Sequence, residues 1–314
     1  MRAPDFFIIG QPKSGTTALY EILRRHPQIY MPKRKEPVYM ASDLHAGLWS
    51  TVRTRPRTLE DYLALFAPAR SEQRVGEASS VYLWSRTAAA NIAELQPAAR
   101  VIAILREPAS FLRSLHLQLL QNHIETEKDF GRAISLEEVR REGKCFPRNC
   151  PFPQALLYSE RVRYVEQLRR YHAVFPPEQV LVLIYDDFRR DNEGTVREVL
   201  RFLEVDDDLP IELLEANPTV RVRSKQLDDL VRVAPVAGGP VTRGVKAGVK
   251  ALTSRRVRHG ALRVARRRLL YAEPPPPNDT VMLELRRRFR GDVAALSEYL
   301  DRDLVSLWGY GSIE

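Results

Sequence analysis

The sequence predicts an α/β fold in which a parallel β-sheet carries helices on both of its faces. Short apolar runs alternate with longer segments of helical periodicity from the N-terminus to about residue 205. Such alternation is typical of βαβ units, in which a crossover helix joins neighbouring parallel strands. The 314 residues are enough for one large domain, and the sequence contains no internal repeat.

The first predicted strand and helix flank a short loop that ends in glycine. The apolar run 6–9 precedes the loop 11–15, and helical periodicity follows over 18–23. A loop in this position directs backbone N–H groups at the N-terminus of the helix, where the helix dipole also favours an anion. The candidate anion ligands are Lys13, Ser14, Gly15, Thr16 and Thr17.

The spacing of Gly10 and Gly15 matches the phosphate-binding pattern G-x-x-x-x-G-K-[ST], so the predicted sheet is P-loop-like. Thr16, however, occupies the lysine position, and the lysine lies inside the loop at Lys13. One cation is therefore placed beside a single phosphate. A P-loop small-molecule kinase is an alternative, and Asp186 at a predicted strand end is its only candidate Mg²⁺ ligand.

A second strand and helix carry another pair of candidate phosphate ligands. The β-rich run 100–105 precedes Arg106, and a helical segment covers 109–122 after Pro108, which suits the first turn of a helix. Arg106 presents a planar fork of donors that fits a phosphate group. Ser114, on the helix, adds a compact hydroxyl.

These segments resemble sulfotransferases that use 3′-phosphoadenosine 5′-phosphosulfate (PAPS) as the sulfuryl donor. The sequence PKSGTT at 12–17 resembles their 5′-phosphosulfate loop. The resemblance implies that Arg106 and Ser114 hold the 3′-phosphate of the donor. It also implies a basic loop over the nucleotide at 217–224, with Arg223 as a further donor-binding residue.

A third segment indicates the acceptor side. Residues 33–40 resemble the K-E-P-H-[FY]-F stretch of heparan-sulfate-type and related bacterial sulfotransferases, which implies that Glu36 is the catalytic base. Residues 75–82 resemble a second family strand, but Ala78 stands where the glycosaminoglycan enzymes often have lysine. This difference argues against a heparan-like acceptor and for the broader bacterial-type group. The reserve candidates for the base are Glu77, His116 and His123.

Farther along the chain, apolar residues between Tyr158 and His172 follow helical spacing and predict a helix there. Its arginines, Arg161 among them, are expected on the surface. The run 179–185 reads as a buried strand, and a helix follows that ends near 201–205. The resemblance covers most of residues 5–225. We predict one sulfotransferase domain over 1–314, with a donor-binding core at 1–225, a basic helical lid or insertion with a proline-rich spacer at 226–278, and a C-terminal helix on the core at 279–314.

The net charge of +9 is concentrated in one segment, because residues 241–270 contain ten lysines and arginines and no acid. The segment is interpreted first as a helical lid over the acceptor pocket, with its arginines in water. Alternatively it makes a peripheral contact with an anionic membrane. A further alternative is a non-catalytic protein that binds anionic surfaces through this segment alone. Nucleic acid is not an expected partner.

The expected substrates are PAPS and a hydroxyl of a small-molecule, lipid or carbohydrate acceptor. No metal is expected, because the donor has no triphosphate to neutralise. The apolar run at the start is too short for a secretory signal, and no run approaches the ~20 residues of a membrane span. Cys145 and Cys150 are near enough in the sequence for a local disulfide, but reduced thiols are expected in a cytosolic protein. A soluble cytoplasmic enzyme is therefore expected, peripheral to the membrane in the second interpretation of residues 241–270. The identity of the acceptor and the oligomeric state remain open.

Overall fold

The structure of the chain is a computed structural model that describes residues 2–45, 55–148, 150, 152–211, 221–222, 271–272 and 276–313. Five parallel strands form one sheet in the order β2-β3-β1-β4-β5. These strands are β1 (Phe6–Gly10), β2 (Ile29–Tyr30), β3 (Arg74–Ala78), β4 (Arg100–Leu105) and β5 (Val180–Ile184). A separate antiparallel pair consists of β6 (Arg221–Val222) and β7 (Tyr271–Ala272).

Helices connect the strands and follow the last of them. The α-helices among the described residues are α1 (Thr16–Leu23), α2 (Leu59–Ala64), α3 (Ala88–Leu95), α4 (Pro108–Gln121), α5 (Phe130–Ser135), α6 (Glu137–Arg141), α7 (Tyr164–His172), α8 (Tyr185–Arg190), α9 (Asn192–Phe202), α10 (Asp279–Tyr299) and α11 (Leu304–Leu307). Short 3₁₀ turns occur at Ser42–Leu44, Pro153–Leu156, Ser159–Arg161 and Pro177–Gln179.

Both faces of the sheet are buried, as expected for parallel strands covered by crossover helices. In β1, Phe6 and Ile8 belong to a core with α1 and α9 on one face of the sheet. Phe7 and Ile9 belong to the core on the other face, which includes apolar residues of α3, α4, α7 and α10. This alternation is the two-residue period of a strand. The predicted α/β fold, a P-loop-like parallel sheet with helices on both faces, is confirmed.

The start of α4 is fixed by a buried carboxylate. Glu107 accepts hydrogen bonds from the N–H groups of Ala109 at 3.0 Å and Ser110 at 2.7 Å, so it caps the helix. The hydroxyl of Tyr310 donates to the same carboxylate at 2.6 Å. Helix α10 also packs against α4. The C-terminal segment thereby holds the end of β4 and the start of α4 in place, with Arg106 between them.

The prediction of a helix from Tyr158 onward is wrong for its first part. Helix α7 begins only at Tyr164, and the preceding chain forms 3₁₀ turns, one of which is Ser159–Arg161. The predicted surface position of Arg161 is also wrong, because only 3% of the residue is exposed. The 3₁₀ turn directs this arginine into the protein, whereas a continuous α-helix was expected to leave it in water.

Gly76 in β3 tests how closely β1 and β3 pack at the centre of the sheet. A Cβ atom at this position would lie 2.1 Å from Cζ of Phe6. We expect Gly76→Ala to lower the free energy of unfolding by about 1–3 kcal/mol, as overpacked core positions do. Urea denaturation measures the change.

The matched control is Gly291→Ala in α10, where nothing lies within 4 Å of the added Cβ. There we expect a gain of about 0.5–1 kcal/mol, since alanine is the better residue inside a helix. A Gly76→Ala variant as stable as the wild type would contradict the packing.

Candidate functional site

The loop between β1 and α1 has its shape because glycine occupies its end. Gly15 has a φ of 87°, and a Cβ there would lie 2.8 Å from Cδ1 of Phe188. Both the backbone conformation and the contact therefore require glycine. Helix α1 begins at the next residue, Thr16. The N–H groups of its first turn have no partner within the helix and are available to an anion.

Beside this loop lies a cavity of about 170 Å³, called here the loop cavity. The structure brings together at this cavity six of the residues singled out from the sequence. They are Lys13, Gly15, Thr16, Thr17, Glu36 and Arg106. Pro12, Ala18, Lys35, Ser80, Gln118 and Tyr185 complete its described lining.

Positive charge is concentrated around the loop cavity. Burial, with a smaller contribution from neighbouring Arg106, lowers the pKa of Lys13. The guanidinium of Arg106 donates to the backbone oxygen of Lys13 at 2.9 Å and lies over the ring of Tyr185, 4.8 Å from its centroid. Tyr164 donates its hydroxyl to the backbone oxygen of Arg106 at 2.9 Å. The arrangement fixes two cations side by side and favours an anionic ligand.

Two predicted donor ligands, Ser14 and Ser114, have other positions. Ser14 is fully buried, with Oγ 3.5 Å from the backbone oxygen of Pro12, and Ser114 is a buried residue of α4. Neither serine is among the described lining residues of the loop cavity. Arg223 lies outside the described residues, as do the basic segment 241–270 and most of the predicted lid. Their roles remain predictions.

The carboxylate of Glu36 accepts three hydrogen bonds. Ser80 donates its Oγ to Oε1 at 2.8 Å and its backbone N–H to Oε2 at 3.0 Å. Lys35 donates from Nζ to Oε1 at 3.0 Å and to Oγ1 of Thr16 at 3.1 Å. Lys35 therefore links the candidate base to the loop. Sequence reasoning did not assign Lys35 or Ser80 to the site, although the position of Lys35 directly before Glu36 was a usable signal.

A second cavity, of about 380 Å³, adjoins the first and is called here the adjoining cavity. The two cavities share four lining residues, which are Pro12, Glu36, Ser80 and Gln118. The carboxylate of Glu36 thus lies where the two cavities meet. One cavity is cationic, and the other combines apolar side chains with Arg55, Asn122 and Arg161, so the site has the form of two compartments with Glu36 between them.

Glu77, the first reserve candidate, is fully buried behind the site and is not among the described lining residues of either cavity. It accepts hydrogen bonds from the hydroxyls of Tyr62 at 3.0 Å and Tyr82 at 2.7 Å. Burial raises the pKa of Glu77 to about 7. Its position suits support of the site better than contact with a substrate.

Side chains next to Glu77 also hold the loop that follows Glu36. Glu36 and Val38 have φ values of 63° and 60°, which are unfavourable for residues other than glycine. The N–H of Val38 donates to Oγ of Ser79 at 3.0 Å, and the N–H of Met40 donates to the Tyr82 hydroxyl at 3.1 Å. The buried groups around Glu77 therefore hold a strained loop that carries the candidate base.

The two histidine candidates and the kinase alternative have less support. His116 is buried, with Nε2 2.8 Å from the backbone oxygen of Glu127, and burial lowers its pKa. His116 and His123 are not among the described lining residues of either cavity. Asp186, the only candidate Mg²⁺ ligand of a kinase, accepts a hydrogen bond from Nε1 of Trp308 at 2.9 Å.

The structure is an α/β protein with a parallel sheet and a cationic cavity beside the start of its first helix. A model of the sulfotransferase family matches residues 4–208, and the chain belongs to this family. The resemblance stated from the sequence is thereby confirmed.

Relatives and solved structures agree with this assignment. Carbohydrate sulfotransferase 15 from Homo sapiens is 28% identical over 247 residues, which cover 64% of this chain and 44% of that protein. Human bifunctional heparan sulfate N-deacetylase/N-sulfotransferase 3 is 30% identical over 215 residues, which cover 65% of this chain and 22% of that protein. The chain thus spans less than half the length of these relatives. A sulfotransferase from Alicyclobacillus acidocaldarius has a TM-score of 0.68 at 25% identity and covers 98% of this chain, with 99% of its own chain matched.

Some features bear on location and cofactors. Within the described ranges, no helix has the length and apolar character needed to cross a membrane. The same part of the chain contains no group of three or more His, Cys, Asp or Glu side chains placed to bind a metal ion. Cys145 and Cys150 are free thiols. The cytoplasmic location, the peripheral membrane contact and the independence of metal remain predictions.

The buried Glu77 predicts a pH dependence of stability. Its pKa is about 7 in the folded chain and 4.5 as an ordinary side chain, so between these values the folded state keeps a proton that the unfolded state has lost. The contribution of Glu77 to the free energy of unfolding is therefore fully present below about pH 4.5. It decreases as the pH rises from there and is lost once the pH has passed about 7. The loss amounts to about 3 kcal/mol, at 1.36 kcal/mol per pH unit.

Urea unfolding of the wild type and Glu77→Gln from about pH 4 to pH 8 measures this effect. The wild type should lose stability relative to the variant as the pH rises, because glutamine does not titrate. A difference between the two proteins that is independent of pH would show that Glu77 keeps an ordinary pKa.

Proposed function

We propose that this chain transfers a sulfuryl group from PAPS to a hydroxyl of a small-molecule, lipid or carbohydrate acceptor. The observation that carries the proposal is the position of Glu36, between a cationic cavity beside the PKSGTT loop and an adjoining cavity with apolar walls. Membership in the sulfotransferase family supports it. The relatives are named for carbohydrate and heparan sulfate substrates, which makes a carbohydrate hydroxyl one candidate acceptor class.

In this proposal the donor binds at the loop cavity. Its 5′-phosphate accepts hydrogen bonds from the N–H groups of residues 14–17, and Lys13 lies beside the oxygen that bridges phosphorus and sulfur. Arg106, already fixed against the backbone of Lys13, binds the 3′-phosphate together with Ser114. Arg223 is proposed as an additional ligand.

The transfer is a single in-line displacement at sulfur. The acceptor oxygen forms a bond to sulfur while the bond from sulfur to the bridging oxygen breaks, and that oxygen leaves with the electron pair as part of the 5′-phosphate. The proton of the acceptor hydroxyl moves to the carboxylate of Glu36. Lys13 stabilises the negative charge that develops on the leaving phosphate. The products are a sulfate ester and 3′-phosphoadenosine 5′-phosphate (PAP).

Lys35 and Ser80 have positioning roles in this mechanism. Both donate to Glu36, and they orient the carboxylate toward the adjoining cavity while Lys35 also contacts Thr16 of the loop. In this mechanism, Lys35 and Ser80 set the distance between the carboxylate of Glu36 and the bound PAPS.

Arg106 decides whether the site distinguishes nucleotides by a 3′-phosphate. We expect PAP to bind the wild type more tightly than AMP or ATP. Arg106→Ala should reduce the preference for PAP over AMP by about ten- to hundredfold, because a hydrogen bond to a charged group contributes ~1.5–3 kcal/mol. Isothermal titration calorimetry with the three nucleotides measures both effects.

The ratio of the two affinities separates recognition from structure. If Arg106 only supports the loop through Lys13, the variant weakens PAP and AMP equally and the ratio stays constant. Equal or tighter binding of ATP by the wild type would contradict the choice of donor and restore the kinase alternative.

Glu36→Gln tests the base. The variant keeps the size of the side chain and one oxygen acceptor but takes no proton, so turnover should fall by ~10²–10⁴ while PAP binds as before. Labelled PAPS with a panel of hydroxyl acceptors measures the rate. Glu94→Gln, at an exposed position on α3, is the matched control and should keep full activity.

The same substitution at Glu77 extends the comparison to the reserve candidate. Normal turnover of Glu36→Gln, with an inactive Glu77→Gln that still folds and binds PAP, would reassign the base. The donor assignment would survive this result, because it depends on the loop and on Arg106.

A further inference from the structure

The adjoining cavity has both apolar and polar walls. Its apolar lining includes Val38, Val81, Leu115, Leu119, Ile124 and Phe152. Glu36, Ser80 and Gln118 line the part shared with the loop cavity, and Arg55, Asn122 and Arg161 also line this cavity. A sugar would leave several hydroxyl groups against apolar walls without hydrogen-bond partners, which is unfavourable.

Arg161 is a buried cation in this wall. Only 3% of the residue is exposed, and no carboxylate in the described part of the chain forms an ion pair with it. Its Nε lacks a hydrogen-bond partner there, and its guanidinium lies over the ring of Trp84, 4.1 Å from the centroid. Burial lowers the pKa of Arg161 to about 9. An arginine kept in this state at a cost in free energy is suited to an anion that enters from the cavity.

Other arginines of the protein show the usual alternative. A larger cavity, of about 760 Å³, is lined by several arginines that are already paired with acids. Arg141 and Arg288 bind Glu137 at 3.0 and 3.2 Å, and Arg170 binds Glu166 at 3.0 Å. These pairs need no ligand. Arg161 differs from these arginines, because it has no acid partner in the described part of the chain.

We propose that Arg161 binds a carboxylate of the acceptor, and that the acceptor is an apolar hydroxy acid. The carboxylate pairs with the guanidinium, the hydrocarbon body lies along the apolar wall, and the hydroxyl reaches Glu36. This inference rests on the proposed function for the reaction, but it adds the chemical class of the acceptor. Arg161 is the residue that selects for it.

The test uses binding of defined probes to the full chain saturated with PAP. The probes are ω-hydroxydodecanoate, as an aliphatic acid, and para-hydroxyphenylpropanoate, as an aromatic acid, each compared with its methyl ester. At least one acid should bind the wild type about ten- to hundredfold more tightly than its ester, as expected for a hydrogen bond to a charged group. The pair that shows the difference identifies the aliphatic or aromatic subclass.

Arg161→Met removes the charge and keeps a long apolar side chain beside Trp84. This variant should bind acid and ester equally, with the ester as tight as in the wild type, and Arg161→Lys should recover part of the preference. Arg57→Met, at an exposed position, is the matched control and should retain the wild-type preference. With labelled PAPS, the preferred acid should show a raised KM in Arg161→Met, with a much smaller change in kcat.

Three results would overturn the inference. They are equal binding of acid and ester by the wild type, equal loss of both in Arg161→Met, and the absence of saturable binding for every acid. PAP affinity distinguishes this failure from failure of the proposed function. A wild type that binds PAP but shows no preference for acids refutes only the acceptor class, whereas a wild type that does not bind PAP refutes the donor.

Discussion

The parallel alignment of β1 between β3 and β4 is the constraint on which the site depends. Parallel neighbours end at the same edge of a sheet, and ligands bind outside that edge. The backbone continues the alignment past the strands, since the N–H of Ser79 donates to Ile8 at 3.1 Å and that of Gln11 donates to Ile104 at 2.7 Å. Three separate parts of the sequence therefore meet at this edge. They are the loop after β1, Ser80 after β3, which binds Glu36, and Arg106 after β4.

This convergence concentrates positive charge that the protein does not neutralise by itself. Lys13, Lys35 and Arg106 line the loop cavity, and Glu36 is the only carboxylate among the described residues of that lining. The lowered pKa of Lys13 expresses the cost of burying its charge, with a smaller contribution from neighbouring Arg106. A ligand with phosphate groups removes this cost when it binds. The relief of this unfavourable free energy contributes to the affinity for such a ligand. Binding therefore also stabilises the folded state.

The sequence was most informative where the relevant residues are close in the chain. The loop with Lys13, the end of β4 with Arg106 and the alternation of strands and helices depend on local patterns, and the structure has them where they were predicted. Ser80 could not be found in this way. It reaches Glu36 across a separation of 44 positions, through the crossover that places β3 beside β1. Only tertiary packing determines that contact.

Arg161 shows a different limit. Helical spacing of its apolar neighbours predicted an exposed position, but Gln11 donates from Nε2 to its backbone oxygen at 2.7 Å, just after β1. This contact ties the 3₁₀ turn to the edge of the sheet and places the arginine in the cavity wall. Periodicity describes how residues repeat along an element, and it carries no information about a long-range hydrogen bond that keeps the preceding residues out of the helix.

Glu36 and Glu77 lie close together but have opposite environments, and this difference separates their roles. Glu36 contacts both cavities and is held by donors, whereas Glu77 is enclosed by Tyr62 and Tyr82. The negative charge of Glu36 adds to burial in raising the pKa of Glu77. Because Tyr82 also binds the N–H of Met40, the buried carboxyl group of Glu77 supports the shape of the loop that carries Glu36.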